Sequence, residues 1–552
     1  MSTTPSRIDR RAALCGSAAL ALGALACRSS GARGRFDVLL RGANVLDGSG
    51  APPFVTDVAL NAERIAAFGA LGDVQASRVF DARGLCLAPG FVDIHTHSDR
   101  TIFEWPGAQS RVLQGCTSEI TGNCGGSAAP RVADDEDAGT SARWSDVRSY
   151  IAAWRQQGAA LNHALLVGHG TLRRAVMGSV DRPATADELA RMNAMLEDAL
   201  DQGALGLSTG LEYVPGMFTP PEEIVQLARA VARRGKLYAS HMRSEEEALL
   251  EAVDEALDVG RRTGVRVQVS HLKAAGRAHW KLLDGALAKL ERARAEGVDV
   301  MADAYPYTAY STTLTMLLEP WSREGGADAV LARLRDPATR AKILREVGPH
   351  VEREPGGWEL VVIASLDKRE HQDCVGKNLL EIAQMWSVEP AEAFARLLEG
   401  SNSSVSFVGH GMQESDVERV LAHPLVMIGS DGRSMAPTGS ALNDRPHPRS
   451  YGTFPRVLGR YCRERKLFDL ATAVRKMTAL PAERAKLAGR GRIEVGAFAD
   501  LVLFDASTIG DRATFAQPQQ FPEGIAAVFV NGVLAAERGA PTAARAGRFL
   551  EA

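Results

Sequence analysis

The segment Ala88–Asp99, APGFVDIHTHSD, is a short apolar run that ends in two histidines, His95 and His97. In a β-strand alternate side chains point to the same face, so both imidazoles would project together. Two imidazoles at the end of a buried strand suit a zinc ion, although a His-x-His pair alone is also typical of a polar strand end. Four later apolar runs close with a histidine or an acid, and a cysteine follows a fifth, which favours the metal interpretation.

Eight apolar runs of this kind alternate with amphipathic segments. The runs are FVDIHTH (91–97), SEITGNCG (118–125), ALLVGHGTLR (164–173), ALGLSTGLEY (204–213), KLYASHMR (236–243), VRVQVSHLK (265–273), VDVMADAYPY (298–307) and LVMIGSDG (425–432). Segments typical of helices lie between several of them, including Thr185–Gln202, Pro221–Arg234 and Glu245–Thr263. This alternation predicts an α/β fold, a parallel (β/α)8 barrel, with its active site at the carboxyl ends of the strands.

The rest of the chain predicts three further units. Short alternating strands occupy FDVLLRGANVLDGSG (36–50) and GRIEVGAFADLVLFD (491–505), so we expect a small β-sandwich domain built from both termini. The stretch between the seventh and eighth runs is too long for a plain connection, and we expect an inserted α/β lid subdomain there. The predicted division is 1–34 for an export signal and spacer, 35–90 plus 485–552 for the β domain, 91–311 plus 406–484 for the barrel, and 312–405 for the lid.

The composition is that of a globular protein with more than one folding unit. The 552 residues are 45% hydrophobic and 24% charged, which is ample material for a large core. The net charge of −3, with both signs interspersed, gives no reason to expect a nucleic-acid partner. Seven cysteines are too few for a disulfide framework, and Cys86, Cys116, Cys374 and Cys462 are expected to be structural.

The amino terminus has the pattern of a targeting segment. The pair RR at 10–11 precedes an apolar run over 12–26, and Cys27 follows. The run is too short to span a bilayer, and the arginine pair is typical of a twin-arginine export signal. Cys27 is a candidate for acylation as in a lipoprotein, but ALA at 24–26 also matches an ordinary cleavage site. We therefore expect export to the periplasm or the outer cell envelope, with the lipid anchor left open.

The residues at the strand ends define a candidate metal site. Imidazoles, a thiol and a carboxylate form a donor set that favours zinc over magnesium or calcium. The candidate ligands are His95, His97, Cys124, His241, His271 and Asp431. A buried, inert thiol is the commoner fate of a free cysteine, but Cys124 lies among glycines in TGNCGG rather than in an apolar run.

Asp431 is also the candidate catalytic residue. Zinc lowers the pKa of a bound water towards ~7 and polarises a substrate carbonyl. In such a site Asp431 would accept the water proton and later pass it to the departing amine. Taken alone, Asp431 in IGSDG would be interpreted as a helix cap, and its place at the end of the eighth strand favours catalysis.

With these residues identified, the chain resembles the amidohydrolase superfamily, specifically its N-acyl-D-amino-acid deacylase (D-aminoacylase) branch. The resemblance covers 36–532, through PGFVDIHTHSD, TGNCG, GHGTLR, GLSTGLEYVPG, SHMRSE, VSHLK, DAYPYTA, IGSDG, PHPRSYGTFPRVL and GAFADLVLFD. Superfamily members commonly bridge two metals with a carboxylated lysine on the fourth strand, and ALGLSTGLEY has no lysine. In the deacylase branch a cysteine matching Cys124 bridges instead, and one tightly held zinc is typical. His241 and His271 then match the tight site, and His95 and His97 a weaker second site.

The same resemblance implies a set of substrate-binding residues. They are Arg449, Tyr305, Ser311, Lys273 and Arg243. Arg449 matches an arginine that grips the amino-acid carboxylate, since a guanidinium fits a carboxylate with two parallel hydrogen bonds. Tyr305 and Ser311 match residues that touch the substrate's carbonyl and carboxylate. Lys273 and Arg243 are expected to donate hydrogen bonds around the metal ligands, whereas His169 is expected to be structural.

The resemblance implies zinc-dependent hydrolysis of N-acyl-D-amino acids to a carboxylate and a D-amino acid. A dipeptidase that cleaves L-Xaa-D-Xaa is the nearest alternative, because it would hydrolyse the same kind of amide bond and bind the same α-carboxylate. A cyclic-amide hydrolase of the hydantoinase or dihydroorotase type lacks support without the bridging lysine, and a non-catalytic binding protein would not need all six ligand positions filled. Two departures affect the substrate: the loop 431–449 is longer than in relatives, and Glu212 replaces an often apolar residue, which would disfavour acidic side chains or attract a cation.

Overall fold

The computed structural model describes residues 35–131, 143–366 and 369–551. The predicted export signal and Cys27 lie outside these residues. Within them, no helix is both long enough and apolar enough to cross a membrane. Two large sheets and one small sheet organise this part of the chain.

The strands fall into these three sheets. They are β1 (Arg35–Val45), β2 (Phe54–Asn61), β3 (Arg64–Gly69), β4 (Gln75–Asp81), β5 (Cys86–Pro89), β6 (Phe91–Asp93), β7 (Cys116–Thr121), β8 (Asn162–Gly168), β9 (Gly206–Gly210), β10 (Leu237–His241), β11 (Arg266–Val269), β12 (Val300–Ala304), β13 (Tyr310–Thr313), β14 (Val361–Leu366), β15 (Val405–Gly409), β16 (Val426–Ile428), β17 (Leu501–Phe504), β18 (Ile525–Val530), β19 (Val533–Glu537) and β20 (Ala540–Pro541).

The α-helices lie mostly between the barrel strands and in the segment that precedes β16. They are α1 (Thr101–Glu104), α2 (Gln109–Val112), α3 (Val147–Gln157), α4 (His169–Met177), α5 (Ala186–Asp201), α6 (Pro221–Arg233), α7 (Leu249–Thr263), α8 (Leu283–Ala295), α9 (Pro320–Arg323), α10 (Gly326–Arg335), α11 (Pro337–Arg353), α12 (Leu379–Trp386), α13 (Pro390–Gly400), α14 (Glu414–Ala422), α15 (Arg449–Arg456), α16 (Leu470–Met477) and α17 (Ala479–Arg484). A π-helix, Val457–Glu464, continues α15.

Eight parallel strands form the predicted barrel. They pair in the order β16-β12-β11-β10-β9-β8-β7-β6, and a parallel bridge between Thr96 and Gly432 joins the two ends of this series. Strands such as β8 and β9 are buried along their whole length, as expected when helices cover the outer face of a parallel sheet. Each of the eight apolar runs overlaps one of these strands, so the predicted (β/α)8 fold is confirmed.

The outer helices follow from amphipathic patterns and capping residues. Helix α5 begins at a capping box in which Thr185 accepts from the backbone N–H of Glu188 and the Glu188 side chain accepts from that of Thr185. The predicted helix over 245–263 begins only at Leu249. Glu245 stays outside it, because its N–H donates to Glu212 Oε1 at 3.0 Å and its carboxylate contacts His271.

Strands from both ends of the chain form one nine-stranded sheet. It contains β1–β5 and β17–β20, and β5 joins the two sets by pairing in parallel with β1 and antiparallel with β17. Alternating aliphatic residues of this sheet share a core of their own, which includes Val38, Leu40, Val58, Leu60, Leu501, Leu503 and Phe529. The barrel sequence is therefore inserted into a domain that the two termini build together.

The segment between β12 and β16 forms a smaller α/β unit on the barrel mouth. Its antiparallel sheet has β15 between β13 and β14, so residues 310–311 and 406–409, which the predicted division gave to the barrel, belong to this sheet. Its core draws on α10–α13 and includes Leu334, Ile343, Val347, Ile382, Phe394 and Phe407. Tyr305 and Tyr307, which follow β12, are part of the same core and connect the unit to the mouth.

Candidate metal centre and active site

The six predicted ligands meet at the carboxyl ends of the barrel strands. Their candidate ligand atoms form two overlapping groups, and within each group all atoms lie within 4.8 Å of one another. The first group is His95, His97, Cys124 and Asp431, and the second is Cys124, His241 and His271. Cys124 belongs to both groups and lies between them.

Cys124 is held at this position by a tight turn. Its φ is +52°, and Gly125 follows with a φ of +75°, where a Cβ would lie 2.5 Å from the backbone nitrogen of Gly210. The thiol Sγ is 3.3 Å from His95 Nε2 and 3.4 Å from His271 Nε2. Burial alone would raise the pKa of the Cys124 thiol, but the charges of His95 and His271 lower it well below its usual value, towards the thiolate that binds metals.

Each of three imidazoles has one ring nitrogen on a carboxylate, which is buried for Asp303 and Glu245 and partly buried for Glu212. His95 Nδ1 is 3.0 Å from Asp303 Oδ1, His241 Nε2 is 3.0 Å from Glu212 Oε2, and His271 Nδ1 is 2.8 Å from Glu245 Oε1. The remaining nitrogens, His95 Nε2, His241 Nδ1 and His271 Nε2, turn towards the cluster, where the latter two are 2.8 Å apart. Carboxylates placed in this way fix the ring orientation of metal-binding histidines and make them better donors.

This donor set fits zinc. Soft thiolate and imidazole ligands select zinc over oxygen-preferring cations. Cys124, His241 and His271 supply one sulfur and two nitrogens, which leaves a coordination position for water or substrate, as catalytic zinc sites require.

Asp431 faces the cluster from the end of β16. Its Oδ1 is 2.8 Å from His97 Nε2 and 3.5 Å from His95 Nε2, while its Oδ2 is 2.8 Å from Arg449 Nη1. Burial would raise the pKa of the Asp431 carboxyl, but Arg449 and His95 lower it well below its usual value. The carboxylate is therefore ionised and able to accept a proton.

An outer cavity of about 510 Å³ opens onto the cluster. His97, Cys124, His271, Asp431 and Arg449 line it. The Arg449 guanidinium is also held by groups other than Asp431. Its Nη2 donates to the carbonyl oxygen of Ser311 at 3.1 Å, and its Cζ is 5.0 Å from the centre of the Tyr305 ring. The structure thus brings together three of the predicted substrate-binding residues.

Lys273 and Arg243 differ in their relation to the site. Lys273 is buried and donates to Glu245 Oε2 at 2.5 Å, and its Nζ also lies 3.0 Å from His271 Nδ1, so it contacts both the candidate ligand and the carboxylate behind it. Arg243 makes two 2.8 Å hydrogen bonds to Glu255 and also contacts backbone carbonyls. It lines neither the outer cavity nor a second, smaller cavity that adjoins it at His271 and Asp431.

His169 lies away from the cluster. Its Nε2 is 2.8 Å from Glu223 Oε1, and Arg173 donates to the other oxygen of the same carboxylate. This buried group ties α4 to α6, which agrees with the structural role expected for His169.

Sequence reasoning missed the carboxylates behind the imidazoles. Asp303 and Glu245 lie in DAYPYTA and SHMRSE, which were quoted as motifs but not interpreted, and Glu212 was noted only as a departure from relatives. All three follow or end barrel strands, and this position is the signal that could have identified them.

Together, the fold and site define a metal-dependent hydrolase of the amidohydrolase type. A family model described as the amidohydrolase family matches residues 78–536, and the chain belongs to this family. It is 40% identical over 523 residues to an N-acyl-D-glutamate deacylase of Alcaligenes xylosoxydans xylosoxydans, a match that covers 94% of this chain and 96% of the relative. It is 39% identical to a D-aminoacylase of the same organism, over 93% of this chain and 97% of the relative.

Comparison with solved structures relates the chain to the same group of enzymes. The N-acyl-D-glutamate deacylase of Bordetella bronchiseptica, in complex with zinc and a phosphonate mimic of the tetrahedral intermediate, superposes with a TM-score of 0.81 at 37% identity, covering 94% of this chain and all of that one. A D-aminoacylase described as having a binuclear metal centre gives a TM-score of 0.80 at the same identity and coverage. The chain is thus a member of the N-acyl-D-amino-acid deacylase branch and an enzyme that acts on linear amides, as the resemblance implied.

Proposed function

We propose that the chain hydrolyses the amide bond of N-acyl-D-amino acids with zinc as cofactor and releases a carboxylate and a D-amino acid. The observation that carries this proposal is the convergence of Cys124, His241 and His271 beside an ionised Asp431 and a fixed Arg449. The relatives named as deacylases of N-acyl-D-glutamate and N-acyl-D-aspartate support the substrate class.

Cys124, His241 and His271 would hold the tight zinc. Zinc in such a site activates a bound water and polarises the substrate carbonyl. Glu212 and Glu245 keep the two imidazoles in the ligating orientation. We further propose that His95 and His97, with Cys124 and Asp431, form the weaker second site.

Asp431 would act as general base and then as general acid. Its Oδ1 lies on the ligand side of the carboxylate, 2.8 Å from His97 Nε2, where it can take a proton from the attacking water. The same oxygen then returns the proton to the nitrogen of the departing amine, so the amine leaves as a neutral group. Because Arg449 binds the other oxygen, the carboxylate stays oriented through both steps.

Arg449 would bind the α-carboxylate of the D-amino acid. Its guanidinium is buried among Asp431, the Ser311 carbonyl and the Tyr305 ring, and the N–H groups that these contacts leave over would donate to the substrate carboxylate. Binding the carboxylate here places the adjacent scissile amide next to Asp431, which is the orientation that catalysis needs.

The test is amine release from paired panels of N-acetyl-D- and N-acetyl-L-amino acids and L-Xaa-D-Xaa dipeptides, with and without a chelator. Chelator-sensitive release confined to D-configured products, restored by zinc, is the expected result. Release from the dipeptides alone would instead support the dipeptidase alternative. Zinc-loaded enzyme that releases no amine from any linear compound would contradict the proposal.

Export remains a further proposal for residues 1–34. Fractionation of cells that express the full chain, compared with a variant in which the arginines at 10–11 are replaced by lysine, would test it. Labelling with a fatty-acid analogue in wild type and in Cys27→Ala would test the lipid anchor separately. Loss of envelope protein in the lysine variant is the expected outcome.

A further inference from the structure

A small inner chamber adjoins the outer cavity at the metal centre. His271, Asp431 and Ser311 line both spaces. The chamber has a volume of about 60 Å³, which is room for about four water molecules. Beyond the metal centre its walls include apolar side chains (Met316, Leu317 and Phe407), acids (Glu212, Glu246 and Glu354), tyrosines (Tyr213, Tyr305 and Tyr310) and His350.

The acids of this chamber have few counter-charges within its walls, although the charges of Arg323 and Arg353, which do not line it, act on Glu212 and Glu246. Burial, and then the charges of Glu354, Glu212 and Glu247, raise the pKa of Glu246 to about 9, and Arg353 opposes this only weakly. Burial raises the pKa of Glu354 to about 8, with Glu212 and Glu245 adding to the effect. Among the described lining residues, Lys273 is the one lysine or arginine, and it already bonds to Glu245.

Three polar atoms in the chamber walls have no hydrogen-bond partner in the described part of the chain. They are Oε2 of Glu354, a residue that is 4% exposed, the hydroxyl of Tyr305, which is 3% exposed, and Nδ1 of His350. Buried polar atoms in folded proteins are nearly always hydrogen-bonded, so an unpaired acceptor in a cavity wall points to a ligand that donates to it.

We propose that this inner chamber binds the side chain of the D-amino acid and selects one with an aliphatic stem and a cationic end, as in lysine or ornithine. The inference rests on the proposed function and names its substrate class. Met316, Leu317 and Phe407 contact the stem, while Glu246 and Glu354 receive the cation.

The position of Arg449 assigns the chamber to the side chain rather than to the acyl group. Arg449 donates to the Ser311 carbonyl and lies over the Tyr305 ring, and both residues also line the chamber. A D-amino acid held by its carboxylate on Arg449 therefore has its α-carbon at the chamber entrance, with the side chain directed inward.

The same walls disfavour an acidic side chain. A glutamate carboxylate would lie beside Glu212, Glu246 and Glu354 without a free cation among the lining residues. The pKa values of Glu246 and Glu354 are already raised by burial and by neighbouring acids, so a further buried carboxylate here would be disfavoured for the same reasons. This distinguishes the chain from the relatives named for N-acyl-D-glutamate and N-acyl-D-aspartate.

The experiment compares kcat/KM for N-acetyl-D-lysine, N-acetyl-D-norleucine and N-acetyl-D-glutamate on zinc-loaded enzyme. Norleucine has the lysine stem without the ammonium group. We expect lysine to exceed norleucine by about tenfold and glutamate by about 100-fold. Glu354→Gln and Glu246→Gln should each lower the lysine-to-norleucine ratio by about tenfold, whereas Glu251→Gln, an exposed residue in the first turn of α7 that does not line the chamber, should not change it.

The outcomes separate this inference from the proposed function. Equal rates with lysine and norleucine, or a preference for glutamate, overturn the inference while D-specific deacylation stands. A lysine preference that survives both substitutions overturns the assignment to the chamber. No release from any of the three overturns the proposed function. If the variants fold poorly, competitive inhibition of wild type by D-lysine and D-norleucine gives the same comparison, and equal inhibition overturns the inference.

Discussion

The two halves of the metal cluster are built differently. The deep half, Cys124, His241 and His271, has each imidazole tied to its own carboxylate, and both histidines are at most 4% exposed. In the outer half, the His97 side chain is 27% exposed, and its ring contacts Asp431, which Arg449 also holds. His95 of the outer half is held by Asp303 in the same way, so the difference between the halves lies at His97, whose ring contacts the carboxylate of Asp431 instead of a carboxylate of its own; this is the feature that supports the proposal of a weaker outer site.

Cys124→Ala should have the largest effect, because it removes the ligand that both halves share. We expect loss of tightly bound zinc and a fall in kcat to the level of the chelated enzyme. Zinc content by atomic emission and amine release measure the two effects. Cys462→Ala is the matched control, since this partly buried cysteine lies outside the cluster. Normal zinc content in the Cys124 variant would contradict the ligand assignment.

Asp431→Asn should lower kcat by about 100- to 10,000-fold, the range expected for loss of a general base. The amide keeps the shape of the carboxylate but cannot take the water proton. Tight zinc should be retained, because the deep half does not include Asp431. Turnover near that of wild type, with zinc bound, would show that another group performs the proton transfer.

Glu245→Gln should weaken zinc binding by about 10- to 100-fold, the usual effect of losing a carboxylate behind a histidine ligand. His271 Nδ1 would lose its charged partner, and Lys273 would lose the carboxylate it donates to. Competition with a chelator measures the affinity. Glu255→Gln serves as control, since Glu255 pairs with Arg243 away from the cluster. An unchanged zinc affinity would mean that the carboxylate does not support the ligand.

His97→Ala should have a smaller effect than any change in the deep half. Tight zinc should remain at about one ion per chain, and kcat/KM should fall by about tenfold or less. The expected loss reflects freer motion of Asp431, whose Oδ1 contacts His97 Nε2. Titration with added zinc should lose its second, weaker phase. If this variant instead lost all zinc, the division into tight and weak halves would be wrong.

The sequence placed the candidate ligands in one cluster, but it did not indicate the carboxylates that surround them. Local patterns place His95, Cys124 and Asp431 at strand ends, and barrel closure then brings them together regardless of their separation. The partners Glu212 and Glu245 depend on the exact path of the chain after β9 and β10, which no short-range periodicity encodes. For the same reason the predicted helix over 245–263 begins four residues early, since its first turn is taken up by contacts to the mouth. Glu354, whose Oε2 has no hydrogen-bond partner in the described part of the chain, comes from the inserted unit, and no sequence pattern shows how that unit packs on the mouth.

The smallest predicted effect concerns Glu354, one of the acids that line the inner chamber. Burial raises the pKa of Glu354 to about 8, whereas an unfolded glutamate titrates near its ordinary value of ~4.3. Between these values the folded state keeps a proton that the unfolded state has released, so this group lowers stability as the pH rises. The Glu354→Gln variant has no titrating group at this position, so it does not lose stability in this way as the pH rises. The Tm of the variant relative to wild type should therefore rise by about 2 °C between pH 5 and pH 9. Calorimetry on zinc-loaded protein, with Glu247→Gln as control, measures it, and a Tm difference independent of pH would place the Glu354 carboxylate in contact with solvent.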